Sequence, residues 1–229
     1  MNKKILVVET NTTNFANSDH LTGLWLGESA EFVSEMKESA YKVDFVSPKG
    51  GYVPVDPRSM KNTYLDEDTL HLYQDQDYQK RALAETLKPE DINSEDYAAI
   101  YYTGGHGVMW DFPNNAALQK ISLAIYQQGG YICSVCHGIA GLLNTKLENG
   151  KYLIAGKKIT GFITKEEILS GNRKRVPFLN EKVAEDHGAD FQKALPFKSF
   201  AVQDDRLITG QNPESPRAVA KKLLANLGK

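Results

Sequence analysis

A thiol and an imidazole stand side by side in the segment Gly130-Tyr-Ile-Cys-Ser-Val-Cys136-His137-Gly138-Ile-Ala-Gly141. A β-branched run passes into small residues there with no loop between them, the context of a nucleophile elbow whose turn residue is Cys136. Free N–H groups at a helix start favour thiolate over thiol, so this placement predicts an ionised, reactive Cys136. Gly138 and Gly141 keep side chains out of the tight turn. The plain alternative is a small buried cysteine at a strand end; the neighbouring His137 tips the reading toward chemistry. Cys133-Ser-Val-Cys136-His137 also has the formal shape of a redox dithiol or a haem attachment site. Haem attachment implies export, and the N-terminal run Ile5–Val8 is too short for a signal-peptide core. In an extended run, three steps of about 3.3 Å put the two Cα atoms roughly 10 Å apart, whereas a disulfide spans less than about 7 Å. Cys133 is therefore expected to be a core residue.

Three further groups call for a reading beside Cys136. Thr103-Gly104-Gly105-His106-Gly107 follows the apolar run Ala98–Tyr102, and glycines there let backbone N–H groups face a ligand as an oxyanion site requires. From these residues alone a tight strand-ending turn serves equally well. The segment lacks the third glycine of a dinucleotide fingerprint. Leu21, Trp25, Phe32 and Met36 fall on one helical face around position 28, and position 28 is glutamate. A carboxylate in an apolar stripe costs several kcal/mol unless neutral or paired, and burial beside a thiolate raises its pKa. The competing reading is a rotated helix with Glu28 in solvent, as for Glu31, Glu35 and Glu38. Thr164-Lys-Glu-Glu167 reads as a capping box with Thr164 at the N-cap. His20, His71 and His187 have no motif and are expected at the surface. No His/Cys/Asp set has metal-ligand spacing, so neither a metal nor another cofactor is expected.

These side chains need elements to hold them. Ile5–Val8, Val43–Ser47, Ala98–Tyr102, Tyr131–Val135, Lys158–Thr160 and Arg206–Thr209 read as strands. They alternate with helical stretches at 21–40, 115–128, 138–143, 164–169 and 217–227, the last opened by Ser215-Pro216. Such alternation implies βαβ units and a parallel sheet covered by helices on both faces, with ligands beyond the strands' carboxyl ends. Residues 48–96 interrupt the rhythm as an insertion packed on the sheet. They are polar and acidic, with one helix near 78–87, and a solvated surface excursion describes them most simply. The 229 residues carry 27 Lys+Arg against 29 Asp+Glu, a net charge of −2, with 41% apolar and 24% charged residues. That composition is ordinary for one α/β domain spanning 1–229 and leaves no electrostatic footprint for nucleic acid or a membrane surface. No run approaches a membrane span, and two cysteines make no disulfide framework. The sequence thus reads as a reduced, cytoplasmic protein.

Taken together, Val135-Cys-His-Gly138, Gly104-Gly-His-Gly107 with Asp111-Phe-Pro113, Glu28, Val43-Asp-Phe-Val-Ser47, Ile159-Thr-Gly-Phe162 and Leu207-Ile-Thr-Gly210 resemble the ThiJ/PfpI superfamily, also called class I glutamine amidotransferase-like. The resemblance is closer to its glyoxalase III and heat-shock chaperone branch. It implies a flavodoxin-like (Rossmann-like) sandwich, usually a homodimer, and conversion of the 2-oxoaldehyde methylglyoxal to D-lactate without glutathione, the chemistry of a D-lactate dehydratase-type lyase. Protein deglycase activity is attributed to the same family. The nucleophile then falls at Cys136, its histidine at His137, the buried helix glutamate at Glu28, and the acid orienting the histidine at Glu167. The oxyanion and substrate-binding site falls at Gly105, His106 and the backbone N–H of His137. Cys133 departs from the small non-thiol residue the family pattern leads one to expect. Two other readings stand beside this one: a cysteine peptidase or amidase, and a holdase chaperone or oxidative-stress sensor. Amidotransfer proper lacks its His-x-Glu pair, since His187 is followed by Gly188-Ala189.

Overall fold

The computed structural model describes residues 4–16, 18–37 and 39–228; Glu38 of the sequence reading lies outside the described residues. The strands are β1 (Lys4–Val8), β2 (Val43–Val46), β3 (Tyr97–Tyr102), β4 (Tyr131–Val135), β5 (Lys158–Ile159), β6 (Asp190–Phe191), β7 (Ala201–Asp204) and β8 (Leu207–Gly210). Six form one sheet in the order β2-β1-β3-β4-β8-β7, parallel except for β7, which runs antiparallel to β8. The short pair β5–β6 stands apart. Lys158–Ile159 is thus a strand, but not one of the main sheet. The antiparallel edge strand β7 is an addition to the all-parallel expectation.

Helices cover both faces: α1 (Leu26–Met36), α2 (Glu67–Gln74), α3 (Gln76–Tyr78), α4 (Val108–Asp111), α5 (Ala116–Gln127), α6 (Ala140–Leu143), α7 (Thr164–Leu169), α8 (Asn180–Asp186) and α9 (Pro216–Leu227). The alternation of strand side chains divides the core into two layers. Ile5, Val7, Tyr101, Cys133 and Val135 pack toward Phe32 and Met36 of α1 and Val219 and Leu223 of α9. Leu6, Val8, Ile100, Tyr102 and Ile132 pack toward Leu118, Ile121 and Ile125 of α5. Phe32 stacks flat on Tyr101 with ring centroids 3.7 Å apart. This is a flavodoxin-like sandwich. Among the described residues no helix is long and apolar enough to cross a membrane.

Two expectations change. The first helix begins at Leu26, not Leu21, because Leu24 forms a parallel bridge with Val55 and donates to Pro54 O at 2.8 Å. Gly23 (φ +154) lies so close that an added Cβ would stand 2.1 Å from that same oxygen. Leu21 is 58% exposed and lies outside the stripe it was assigned to. The 48–96 insertion is also more than a solvated excursion. Leu72, Tyr78 and Ala82 enter the core, and Asp56, Ser59 and Thr69 are buried. Its α-helices are α2 and α3, the latter running on as a π-helical turn at Gln79–Ala84.

At the end of β1, Glu9 is fully buried; Oε1 accepts from Ser29 Oγ at 2.6 Å and Oε2 has no partner. Burial, opposed in part by Ser29, pushes its carboxyl up to about 8. An unfolded glutamate titrates near 4.3. Between those values the folded chain keeps a proton that the unfolded chain has lost, so stability falls as pH rises. Thermal unfolding between about pH 5 and 8 should therefore show Tm falling with pH, less steeply in Glu9→Gln. An unchanged slope in the variant would contradict this assignment.

Candidate active site

The sheet order reverses direction between β1 and β3, and the carboxyl ends of β1, β3 and β4 open onto one crevice, where ligands of doubly wound sheets bind. Cys136 is the first residue beyond β4 and has φ +55, a left-handed conformation that a non-glycine residue adopts only under constraint. The chain then winds through a 3₁₀ turn at Cys136–Ile139 into α6. Gly138 makes the turn possible, since a Cβ there would lie 2.3 Å from Tyr102 O.

The side chains form a continuous hydrogen-bonded chain. Cys136 Sγ is 3.3 Å from His137 Nδ1, and His137 Nε2 is 2.7 Å from Glu167 Oε2. His106 Nε2 is 2.9 Å from Glu167 Oε1, and Arg58 Nη2 is 3.2 Å from His106 Nδ1. The α7 start does not use Thr164 and Glu167 as its capping box. Thr164 is already inside the helix, and the Ile163 N–H donates to Glu166 Oε2 at 3.1 Å. Glu167 is thereby free to face the histidines. Burial alone would raise its carboxyl, but His137 and His106 together hold it well below the usual carboxylate range.

Glu28 is fully buried on α1, so the rotated-helix reading does not hold. Neither carboxyl oxygen has a hydrogen-bond partner. Burial pushes this carboxyl well up, against the Cys136 thiol and the Gly104 backbone N–H, which pull the other way. A Cβ at Gly104 would lie 2.4 Å from Glu28 Oε2 and 3.0 Å from Cys136 Cβ, so these groups meet across a bare backbone. The Cys136 thiol is pushed up as well, by burial first and then by Glu28, while the His137 backbone N–H acts in the opposite sense. The expected helix-stabilised thiolate is not found. The helical segment is a 3₁₀ turn and four residues of α6, too short to build a sizeable macrodipole, and the sulfur is buried beside an acid.

Cys136 and His137 line a cavity of about 310 Å³ with Gly105, His106, Trp25, Arg58, Lys61, Tyr64, Phe162 and Phe197. Gly105 and His106 therefore reach the expected place, though both His106 ring nitrogens are already engaged. The sequence reading passed over Arg58, Lys61, Tyr64 and Phe197, and named Trp25 only in the helix stripe and Phe162 only in the family pattern. A signal existed for the first: Asp56-Pro57 is an N-cap followed by proline, and it opens the 3₁₀ helix Pro57–Met60 that carries Arg58. Of the other histidines, His20 and His71 are exposed. His187 is half-buried, stacked on Tyr152 at 3.6 Å. Both cysteines are free and buried.

The model of the DJ-1/PfpI family matches residues 27–226. The chain belongs to the DJ-1/PfpI family. It is 33% identical to the glutathione-independent glyoxalase HSP31 of Saccharomyces cerevisiae over 95% of each chain. It is 29% identical to glyoxalase 3 of Candida albicans over 98% of each. Among solved structures it is similar to the rapid encystment protein of 24 kDa from Francisella tularensis, with TM-score 0.94 and 36% identity, covering 98% of this chain and 99% of that one. It is also similar to glyoxalase III of Candida albicans, with TM-score 0.87 and 28% identity, covering 97% and 96%.

A thiol held protonated by its surroundings reacts through its base. Iodoacetamide at neutral pH should alkylate Cys136 alone, because burial also pushes the Cys133 thiol up and Cys133 has no base beside it. His137→Ala should slow that reaction roughly tenfold or more. Mass spectrometry showing equal labelling of both cysteines, or no effect of the variant, would contradict the site as described.

Proposed function

We propose that this chain is a glutathione-independent glyoxalase III that converts methylglyoxal, and 2-oxoaldehydes of its kind, to the 2-hydroxy acid, D-lactate in the case of methylglyoxal. The observation carrying this reading is the pairing of a thiol–imidazole–carboxylate chain with a second, buried and unpartnered acid on the other side of the same sulfur. Acyl transfer by a peptidase or amidase needs the first and has no use for the second. An internal proton shift needs both.

His137 Nδ1 takes the Cys136 proton as sulfur adds to the aldehyde carbon. The oxygen of the hemithioacetal gains its proton from the neutral Glu28 carboxyl, and the backbone N–H groups of Gly105 and His137 are assigned to stabilise it while charged. The Glu28 carboxylate left behind, made basic by burial, removes the hydrogen from the former aldehyde carbon while the His137 imidazolium protonates the neighbouring carbonyl oxygen, giving an enediol and a neutral His137. Glu28 then returns its proton to the neighbouring carbon and takes back the hydroxyl proton of the first. The result is a thioester of the 2-hydroxy acid on Cys136. Water, activated by His137, cleaves it and restores the thiol. One water is consumed, and the oxidation of one carbon balances the reduction of the next, so no external redox partner enters.

The resemblance supports taking 1–229 as one catalytic domain, working as a homodimer in the cytoplasm. A holdase role has one structural support: Leu169 and Phe197 at the cavity rim, together with Ile168 and Leu195, are large apolar side chains left exposed.

Cys136→Ala should abolish methylglyoxal turnover, while Cys133→Ala keeps most of it; equal losses would revive a dithiol mechanism. Glu28→Gln retains shape but not proton transfer and should lower kcat by about 10²–10⁴-fold. Because it replaces an awkward buried acid, its Tm should hold or rise. Near-wild-type turnover would remove Glu28 from the mechanism. Activity should also survive exhaustive chelation and removal of small thiols. The His106, His137 and Glu167 donor atoms lie within 4.8 Å of one another, a spacing a divalent ion could bridge. Rate restored only by added zinc or nickel would turn that hydrogen-bonded cluster into a metal site.

A further inference from the structure

We propose that Arg58 and His106 are positioning residues which fix the proton pattern of the Cys136–His137–Glu167 chain from its far end. This rests on the reading of that chain as catalytic.

A guanidinium has donors and no acceptor. With Arg58 Nη2 3.2 Å from His106 Nδ1, that nitrogen must supply a lone pair. A neutral imidazole with Nδ1 bare carries its hydrogen on Nε2, which donates to Glu167 Oε1 at 2.9 Å. The ionised Glu167 can only accept, so its other oxygen fixes a hydrogen on His137 Nε2, 2.7 Å away. His137 Nδ1 is then the bare nitrogen, 3.3 Å from Cys136 Sγ and able to take its proton. One obligate donor at one end and one obligate acceptor in the middle leave a single arrangement along the whole chain.

Arg58 is built to be an immobile terminus. Its Nε donates to Asp56 Oδ1 at 2.9 Å, and Nη2 pairs with the other oxygen of this buried carboxylate. The guanidinium also lies over the Phe15 ring at 5.3 Å. His106 packs against Phe15 and Phe162, and the charged or titratable groups facing it are Arg58, Glu167 and His137. Burial and the neighbouring His137 push its imidazole down to about 4, against the pull of Glu167. His106 thus holds Glu167 through a hydrogen bond without neutralising it, and leaves the full carboxylate charge to stabilise the His137 imidazolium.

The test is ¹⁵N-histidine NMR together with the pH profile of kcat/KM, for wild type, Arg58→Met, Arg58→Lys, His106→Phe and the Arg58→Met/His106→Phe double variant. Wild-type His106 should be the Nε2–H tautomer and stay neutral from neutral pH down to about pH 5. In Arg58→Met it should take up its second proton at a higher pH than in wild type, because the cation opposing it is gone while burial and His137 remain. Its kcat/KM, relative to wild type, should then be lower at pH 6 than at pH 8. That extra fall at pH 6 should vanish in the double variant, where no His106 remains to titrate. Arg58→Lys keeps a cationic donor and should restore the tautomer. A wild-type His106 carrying its hydrogen on Nδ1, or titrating near 6.5, overturns the proposal without any variant needing to fold. So does an Arg58→Met effect that persists in the double variant as a raised KM, because Arg58 then acts on substrate. The tautomer measurement needs no turnover. An Nε2–H tautomer in a protein that leaves methylglyoxal unchanged would defeat the glyoxalase reading and not this one.

Discussion

The site is organised around a buried carboxylate that, among the described residues, has no lysine or arginine paired with it. Glu167 keeps its charge through N–H donors from the imidazoles of His106 and His137, on residues that follow two different strands of the sheet. An isolated ionised carboxylate in such surroundings costs far more than a fold can spare. Its partners must therefore stay in place for the anion to exist. The adjacent Glu166 is treated similarly: its oxygens accept from the backbone N–H groups of Ile163 and Phe197 and from the amides of Gln211 and Asn212. Two consecutive acids on a helix of six residues thus gather the segments that wall the cavity, and α7 owes its position to them more than to its own length.

A second constraint acts from the opposite side of the sulfur. Glu28 lies at the start of α1, where Tyr101 donates to its backbone carbonyl at 2.8 Å and Ser29 is tied to Glu9. Those bonds hold the helix end against β1 and β3, so the acid cannot swing out toward water. Two acids of opposite character consequently flank one thiol: Glu167 held low by its donors, and Glu28 pushed high by its burial. Environments that drive like groups apart in this way divide acid from base work.

Much of this was legible in the chain. Strand alternation located the sheet, because a β-branched run between turn residues has few other fates, and Cys136, His137 and Glu28 followed from local pattern. What escaped was long-range. The capping role of Glu166 and the freedom of Glu167 differ by one residue of helix register, and only tertiary contacts decide that. The thiol's protonation depends on how deeply it is buried, whereas the sequence shows only that a turn begins. Arg58 lies in a polar stretch whose composition suggested solvent, yet buried Asp56 and the Phe15 ring draw it inward. The start of α1 was misplaced because Leu24 pairs with Val55, a contact across the insertion that no periodicity records.

Gly104 divides the cavity into parts that differ in how freely they can vary. An alanine methyl there would press on Glu28, Cys136 and the His137 nitrogen at once, at 2.4–3.0 Å, and none of the three can retreat without leaving its own place. The floor of the pocket is therefore closed to remodelling by substitution at that point. Lys61 and Tyr64, by contrast, come from the insertion, which joins the sheet through side chains and a few bridges. Any selection for a bulkier aldehyde, natural or in a designed library, has its room there, in a loop that can change length and composition while the reacting atoms keep their spacing.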